Sequence, residues 1–275
     1  MGRSAVVAIL TPVDSPDDPR IDDFRDLTTA DRRPDRPGGR GFVIAEGVVV
    51  VRRLLESPYP VRSLLGVPRR LAELSEELAR VDVPAYSTDA DTMARAVGFH
   101  LNRGVLAVAD RTREPDPVEL LRGEARTIAV CEGVGDHENL GSLFRNAAAL
   151  GVDGVLLGPG CSDPLYRRSV RVSMGHVLRV PFTRLGGIWP ASLDTLRDNG
   201  YTVVALTPAA DAEPLASAGL AGRRVALLLG AEGPGLTVEA LAAADRRVRI
   251  PMASGVDSLN VATAAAVAFH AVTAG

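Results

Sequence analysis

The stretch TIAVCEGVGDHENLGSLFRNAAALGVDGVLL, residues 127–157, decides the fold class of this chain. It opens with a short apolar run typical of a buried strand, passes through a helical segment that ends at Gly151, and closes with a second apolar run. Because both runs are continuously apolar rather than alternating, they predict strands buried on both faces. A strand, a helix and a strand in this order indicate a parallel sheet with helices on its two faces.

The same alternation continues to the C-terminus and is also present in the first half of the chain. We therefore predict an α/β protein with a C-terminal domain over residues 126–275 and a smaller N-terminal α/β domain over residues 1–113. Residues 1–40 are rich in proline and in charges of both signs, which indicates an irregular lead-in. Residues 114–125 are charged and contain prolines, so we assign them to a linker.

Composition excludes several classes of protein. The 275 residues are 46% hydrophobic and 24% charged, which is typical of a globular protein with a substantial core. No apolar run has the length of a membrane span and the N-terminus lacks a signal-peptide pattern, so we expect a cytoplasmic protein with no membrane partner. Cys131, Cys161 and the four scattered histidines lack the spacing of a zinc site, and we predict no metal.

The charge pattern leaves the choice of partner open. The formal net charge is −3, and every basic side chain is an arginine. Arginine binds phosphates in a bidentate manner, which favours a nucleic-acid partner. The codon bias of a GC-rich genome explains the same composition, and composition alone does not separate these alternatives.

Polar residues stand at three predicted strand–helix junctions. Asn139 precedes Arg145 by six residues, Glu232 follows an apolar strand within a glycine-rich loop, and Ser258 and Asn260 precede an alanine-rich helix. The carboxyl edge of a parallel sheet is where ligands bind in open α/β folds, so these side chains are candidates for one site. The structural alternatives are that Asn139 and Ser258 cap helices, that Arg145 extends to water, and that Glu232 is solvated in a turn.

Several nucleotide-binding and hydrolytic motifs are absent from the sequence. Residues 133–141, GVGDHENLG, fail the dinucleotide-binding pattern because Glu138 occupies a required glycine position. The chain has no GxSxG nucleophile motif, and a phosphate loop is excluded because the chain has no lysine.

Three segments, taken in order, resemble the signature motifs of a known family. They are NLGSLFRNAAALGVDGVLL at 139–157, LLLGAEGPGL at 227–236 and IPMASGVDSLNVATAAAVAFH at 250–270. Together they resemble the SpoU (TrmH) family of RNA ribose 2′-O-methyltransferases, of the SPOUT superfamily. The intervening RRSVRVSMGHVLRVPF at 167–182 and the N-terminal VIAEGVVVVRRLLES at 43–57 are similar to the same family, so the resemblance extends from about Gly41 to the C-terminus.

The resemblance implies a fold, a cofactor and an assembly. The C-terminal domain would be a trefoil-knotted SPOUT methyltransferase domain, although knots are rare exceptions among folds. The N-terminal domain would be a ribosomal-protein-like domain that binds the RNA substrate. The cofactor would be S-adenosylmethionine, and the protein would be a homodimer with its active site near the subunit interface.

The motif positions also imply residue roles. The catalytic positions would be Asn139, Arg145, Glu232, Ser258 and Asn260, and the cofactor pocket would be formed by Leu206, Thr207, Gly230, Ile250, Met252 and Leu259. Arg145 would bind the adjacent phosphate and stabilise a developing alkoxide, because arginine stays protonated. Asn139 and Glu232 would orient Arg145, and Ser258 or a phosphate oxygen would relay the proton.

The implied substrate is RNA, with ribosomal RNA favoured over transfer RNA. Arg167, Arg168 and Arg171 belong to a locally basic segment that we predict to face RNA phosphates, the alternative being a solvated basic helix face. The remaining alternatives for the whole chain are a tRNA ribose methyltransferase, an RNA-binding homologue without activity, and an enzyme that methylates a base.

Overall fold

A computed structural model describes residues 10–25, 27 and 39–274. The described chain forms two compact units. Unit 1 contains the described residues up to Thr112 together with Leu165–Arg179, and unit 2 contains Arg113–Pro164 and the residues from Val180 onward. Leu165–Arg179 belongs with the first unit, although these residues lie within the range 126–275 that the sequence pattern assigns to the C-terminal domain.

The strands of the described residues are, in chain order, β1 (Leu10–Pro12), β2 (Phe42–Glu46), β3 (Val61–Gly66), β4 (Ala85–Ser87), β5 (Val105–Asp110), β6 (Thr127–Cys131), β7 (Gly154–Leu157), β8 (Phe182–Arg184), β9 (Thr202–Leu206), β10 (Glu213–Pro214), β11 (Val225–Leu229) and β12 (Arg246–Arg249).

The α-helices of the described residues are α1 (Val48–Leu55), α2 (Pro68–Ala72), α3 (Ser75–Leu78), α4 (Ala90–Val97), α5 (Pro117–Leu121), α6 (His137–Ala149), α7 (Arg167–Val172), α8 (Asp194–Asp198), α9 (Val238–Ala243) and α10 (Val261–Thr273). Short 3-10 helices span Pro19–Phe24, His176–Leu178, Ala191–Leu193 and Leu215–Ser217.

Unit 1 is built on a mixed five-stranded sheet with strand order β1-β4-β3-β5-β2. Strands β1, β4 and β3 pair in parallel, whereas β5 is antiparallel to both of its neighbours. The described part of the predicted irregular lead-in contributes to this unit, since β1 lies at the sheet edge and Ile21 and Phe24 are fully buried in its core. The rest of the predicted lead-in lies outside the described residues. These two apolar residues stand among aspartates and arginines, so their role in the core was hidden by the local composition.

Unit 2 contains a seven-stranded sheet with order β10-β12-β9-β11-β6-β7-β8, and every pairing in it is parallel. This agrees with the prediction from the continuous apolar strands. Part of the predicted linker is folded here. Helix α5 begins with a capping box between Asp116 and Glu119, and Leu121 is fully buried in the core of the unit.

The register of the parallel strands determines where their loops emerge. Leu229 at the end of β11 lies opposite Cys131 at the end of β6, and Leu206 at the end of β9 lies opposite Val248 of β12. The loops that follow these four strands therefore leave the sheet at one carboxyl edge. This is the edge at which open α/β sheets bind ligands.

Candidate active site

A pocket of about 320 Å³ lies at this carboxyl edge of unit 2. Its wall comes from the loops after β9, β11 and β12 and from the start of α10. All six residues predicted for the cofactor pocket line it, namely Leu206, Thr207, Gly230, Ile250, Met252 and Leu259. Three of the predicted catalytic residues, Glu232, Ser258 and Asn260, line the same pocket.

The loop after β11 closes tightly on itself at the pocket wall. The backbone N–H groups of Ala231 and Gly235 each donate to the carbonyl oxygen of the other residue, at 3.2 and 3.0 Å. A Cβ atom at Gly230 would lie 2.3 Å from the carbonyl carbon of Gly235 and from the amide nitrogen of Leu236. Only glycine fits at position 230, because the obstructing atoms belong to the backbone and cannot rotate away.

A buried glutamate that the sequence analysis missed anchors the far end of this loop. Glu132 is 5% exposed and follows β6 directly. Its Oε2 accepts from the backbone N–H of Thr237 at 2.9 Å, and its Oε1 accepts from the Thr237 hydroxyl at 2.7 Å and from Trp189 Nε1 at 2.5 Å. Thr237 is also the N-cap of α9, so one carboxylate fixes the junction between the pocket loop and that helix.

A chain of side-chain hydrogen bonds connects three of the predicted catalytic residues. Asn260 Nδ2 donates to Asn139 Oδ1 at 2.7 Å, and Asn139 Nδ2 donates to Glu232 Oε2 at 2.5 Å. Asn139 lies in the first turn of α6, and helices α6 and α10 pack against each other. The structure therefore brings together residues that are up to 121 positions apart in sequence.

Two helix caps differ from the structural alternatives raised by the sequence. Asp136, not Asn139, caps α6, with its Oδ1 accepting from the N–H groups of Glu138 and Asn139. Asn260, not Ser258, caps α10. Because Asp136 caps α6, the Asn139 side chain is available to bond to Glu232. The Ser258 side chain is exposed and lies on the pocket wall.

Arg145 lies on the exposed side of α6 and does not line the pocket. It is six residues after Asn139, which places it about 9 Å further along the helix axis and on a different face. Within one chain Asn139 and Glu232 bond to each other, and the orientation of Arg145 by these two residues stays a prediction. Within residues 10–25, 27 and 39–274, no side chain pairs with the Arg145 guanidinium.

The three arginines predicted to bind RNA belong to unit 1, where they occupy α7. The guanidinium of Arg167 lies over the ring of Phe99 at 4.7 Å from its centroid. Arg171 lies 4.0 Å from the carboxylate of Glu46, which is buried and also lies 4.0 Å from Arg103. Arg168 is exposed.

Cys131 is a buried core residue, and Cys161 is partly buried. Burial raises the pKa of the Cys131 thiol well above its ordinary value, and burial also raises the pKa of Cys161. Cys161 Sγ donates to the carbonyl oxygen of Cys131 at 3.2 Å. A thiol with a raised pKa stays protonated and is a poor nucleophile, so neither side chain suits covalent chemistry. In the described part of the chain, no group of histidine, cysteine, aspartate or glutamate residues has a metal-binding arrangement, and no helix is long and apolar enough to span a membrane.

Known proteins are similar to this chain in sequence and in structure. The chain is 60% identical over 257 residues to an uncharacterized tRNA/rRNA methyltransferase of Mycobacterium tuberculosis, a match that covers 93% of this chain and 88% of the relative. It is 27% identical to the 23S rRNA (guanosine(2553)-2′-O)-methyltransferase RlmP of Bacillus subtilis, covering 93% and 96% of the two chains. The crystal structure of an AdoMet-bound rRNA methyltransferase from Sinorhizobium meliloti superposes with a TM-score of 0.78 at 25% identity, covering 95% and 97%.

The model of the SpoU rRNA Methylase family matches residues 126–270, which is more than half of the chain. The matched range includes every residue of the pocket and both amides of the hydrogen-bonded chain. This protein therefore belongs to the SpoU rRNA methylase family.

Proposed function

We propose that this protein transfers the methyl group of S-adenosylmethionine to a ribose 2′-hydroxyl of RNA, with ribosomal RNA as the substrate. The observation that carries the proposal is that one pocket is lined both by the six residues predicted to bind the cofactor and by Glu232, Ser258 and Asn260. Family membership makes the chain an RNA methyltransferase that uses S-adenosylmethionine. The choice of a ribose, and of ribosomal over transfer RNA, is supported by the resemblance to RlmP and to the Sinorhizobium meliloti enzyme.

The pocket suits S-adenosylmethionine in size and in chemistry. Its volume lies at the lower end of the range of small-molecule sites. Leu206, Ile250, Met252 and Leu259 provide an apolar wall of the kind that an adenine ring requires. The wall is built from strand ends and glycine-rich loops, so backbone N–H and C=O groups can reach the polar atoms of the cofactor.

When bound, S-adenosylmethionine supplies an electrophilic methyl group on a sulfonium. The chain must hold the ribose hydroxyl in line with that methyl group and accept its proton. Ser258 offers a hydroxyl on the pocket wall, and the Oε1 atom of Glu232 receives no hydrogen bond from the described residues. These two groups form the polar end of the pocket, where the hydroxyl proton would leave.

Arg145 would supply positive charge for the phosphate and the developing alkoxide. Its exposed position outside the pocket of its own chain fits the homodimer implied by the resemblance, with the active site near the subunit interface. The dimer, the trefoil knot and a cytoplasmic location remain predictions.

Unit 1 would bind the RNA through Arg167, Arg168 and Arg171. In this unit Arg103 and Arg171 share one carboxylate, that of Glu46, which leaves a net positive charge at that position. Half-exposed arginine side chains such as Arg103 and Arg171 suit a phosphate backbone. RNA is commonly recognised through phosphates and exposed loops, and a separate substrate-binding unit provides a surface for both.

The first experiment is a calorimetric titration of the purified protein with S-adenosylmethionine and then with S-adenosylhomocysteine. We expect saturable binding of each at one site per chain. The next step is to map 2′-O-methyl groups in ribosomal and transfer RNA from a strain that lacks the gene. Loss of one ribosomal 2′-O-methyl group supports the proposal, whereas a lost tRNA or base methyl group redirects the substrate. A folded protein that binds neither compound, with or without RNA, would favour an inactive RNA-binding homologue.

A further inference from the structure

The side-chain amide of Asn260 has both of its polar atoms committed. Its Oδ1 accepts from the backbone N–H groups of Ala262 and Thr263, at 3.0 and 3.3 Å, and so caps α10. The first turn of a helix presents only donors, so the oxygen of the amide must face the helix and the nitrogen must face away. The helix therefore fixes the orientation of this amide, which is otherwise ambiguous between oxygen and nitrogen.

The orientation of the Asn260 amide fixes the orientation of the Asn139 amide. Its Nδ2 can only donate, so Asn139 must present Oδ1 to it, as observed at 2.7 Å. Asn139 must then turn its own Nδ2 toward Glu232, whose Oε2 accepts at 2.5 Å. Every donor in this chain points from α10 toward the carboxylate. We call Asn260, Asn139 and Glu232 the amide chain.

Glu232 depends on this chain because its own surroundings hold it weakly. It is exposed and lies in a loop with glycine at positions 230, 233 and 235. Among the described residues, Asn139 alone donates to its carboxylate. A hydrogen bond from a neutral donor to a carboxylate is stronger than one between neutral groups, so this contact limits the positions that the carboxylate occupies.

We propose that Asn260 is a positioning residue that acts on Glu232 through Asn139, and that the cap of α10 sets the direction of the amide chain. This rests on the proposed function, in which Glu232 belongs to the polar end of the pocket. An amide is required at position 260, because the residue must accept from the helix with one atom and donate to Asn139 with another. Neither aspartate nor serine at this position supplies both contacts with the same geometry.

The variant Asn260→Asp tests the direction of the chain while keeping the cap. Aspartate is a good N-cap residue and retains an acceptor for Ala262 and Thr263. Its second oxygen cannot donate to Asn139, which must either face it with Oδ1 or rotate and turn Oδ1 toward Glu232. In the first case two oxygen atoms face each other and repel, so Asn139 no longer holds its Nδ2 in a fixed position against Glu232. In the second case an oxygen atom of Asn139 faces the carboxylate, and Glu232 has lost its donor. We expect kcat for methyl transfer to fall about tenfold or more, with the KM for S-adenosylmethionine changed less than about threefold.

The double variant Asn260→Asp/Glu232→Gln rebuilds the chain in the opposite direction. Asp at 260 accepts from Asn139 Nδ2, and Gln at 232 donates to Asn139 Oδ1. We therefore expect Asn260→Asp to lower the melting temperature by about 2–4 °C in the wild-type background and to have no such effect in the Glu232→Gln background. Coupling of this kind measures the connection through Asn139 and does not depend on catalysis.

Asn146→Asp is the matched control. Asn146 lies on α6, and its Nδ2 donates to the carbonyl oxygen of Ala262 at 2.8 Å, so the substitution removes an amide donor without touching the chain to Glu232. We expect equal destabilisation in both backgrounds and an unchanged kcat. Equal effects of Asn260→Asp in the two backgrounds, or a rise in KM as large as its loss in kcat, would overturn the proposal. If the wild-type protein methylates no RNA, the proposed function fails, while the melting data still decide whether the amide chain exists.

Discussion

At the scale of single residues, the site combines positions with recognisable motifs and positions without them. Asn139, Glu232, Ser258 and Asn260 stand at strand–helix junctions, where their polarity is noticeable in the sequence. Glu132 also follows a strand, but its partners Trp189 and Thr237 are 57 and 105 residues away. A local sequence pattern does not indicate contacts between residues so far apart in sequence, so the anchoring role of Glu132 could not be predicted.

The anchoring role gives a prediction for Glu132→Gln. The glutamine amide must place a donor against either Thr237 or Trp189, which are themselves donors, and this leaves unsatisfied buried groups. We expect a loss of about 2–4 kcal/mol in the free energy of unfolding, together with weaker binding of S-adenosylmethionine. Denaturant unfolding and calorimetry measure the two effects. Glu239→Gln on the exposed surface of α9 is the control, and equal stability of the two variants would contradict the role of Glu132.

Arg145 gives a second prediction at this scale. Because it is exposed and lies outside the pocket, its removal leaves the cofactor wall unchanged. We expect Arg145→Ala to lower methyl transfer by about a hundredfold or more, through lost stabilisation of the phosphate and alkoxide. Calorimetry should show S-adenosylmethionine affinity close to that of the wild-type protein. Arg223→Ala, at the opposite edge of the sheet before β11, serves as control. A loss of cofactor affinity as large as the loss of rate would remove Arg145 from this role.

At the scale of helices and strands, periodicity predicted the elements better than their ends. Residues 69–81, RRLAELSEELARV, have apolar residues at helical spacing, which predicts one amphipathic helix. The structure instead contains α2 and α3, with Leu74 between them. The N-caps of α6 and α10, Asp136 and Asn260, are likewise not determined by the local sequence. Several polar residues compete for each helix start, and the choice depends on which side chain has a distant partner, as Asn139 does in Glu232.

The N-cap of α4 carries a pH prediction. Backbone and side-chain hydrogen bonds from Thr92 lower the pKa of Asp89 below its ordinary value of 3.8. A lowered folded-state pKa adds stability that is complete above the unfolded pKa and disappears as the pH falls through the folded value. We expect the melting temperature of the wild-type protein to exceed that of Asp89→Asn at neutral pH and the gap to close below pH 3.8. Thermal unfolding at several pH values measures this gap, and a gap that is constant with pH would exclude the charged cap.

At the scale of the whole molecule, the continuous strands of the second half were sufficient to predict a parallel sheet. They could not show which segments leave it. Leu165–Arg179 belongs to unit 1, although it stands between β7 and β8 of unit 2 in sequence. In unit 1 this segment makes contacts distant in sequence, such as that between Arg167 and Phe99. Because α7 lies within Leu165–Arg179, the predicted RNA-binding arginines belong to the unit that is proposed to bind RNA.

This placement leads to a prediction about RNA affinity. Each arginine that contacts a phosphate releases counterions on binding, so its removal should reduce the salt dependence of the affinity. For Arg168→Ala/Arg171→Ala we expect weaker binding of ribosomal RNA, and a slope of log K against log salt that is smaller by about 0.7 to 0.9 per lost contact. Fluorescence anisotropy over a series of salt concentrations measures both quantities, and S-adenosylmethionine binding should be unchanged. Arg223→Ala removes one exposed arginine of unit 2 as a control for the change in net charge. A chain of net charge −3 binds RNA only where its arginines are concentrated. If the slope of the double variant equals that of the wild-type protein, α7 does not contact RNA phosphates and is a solvated basic helix.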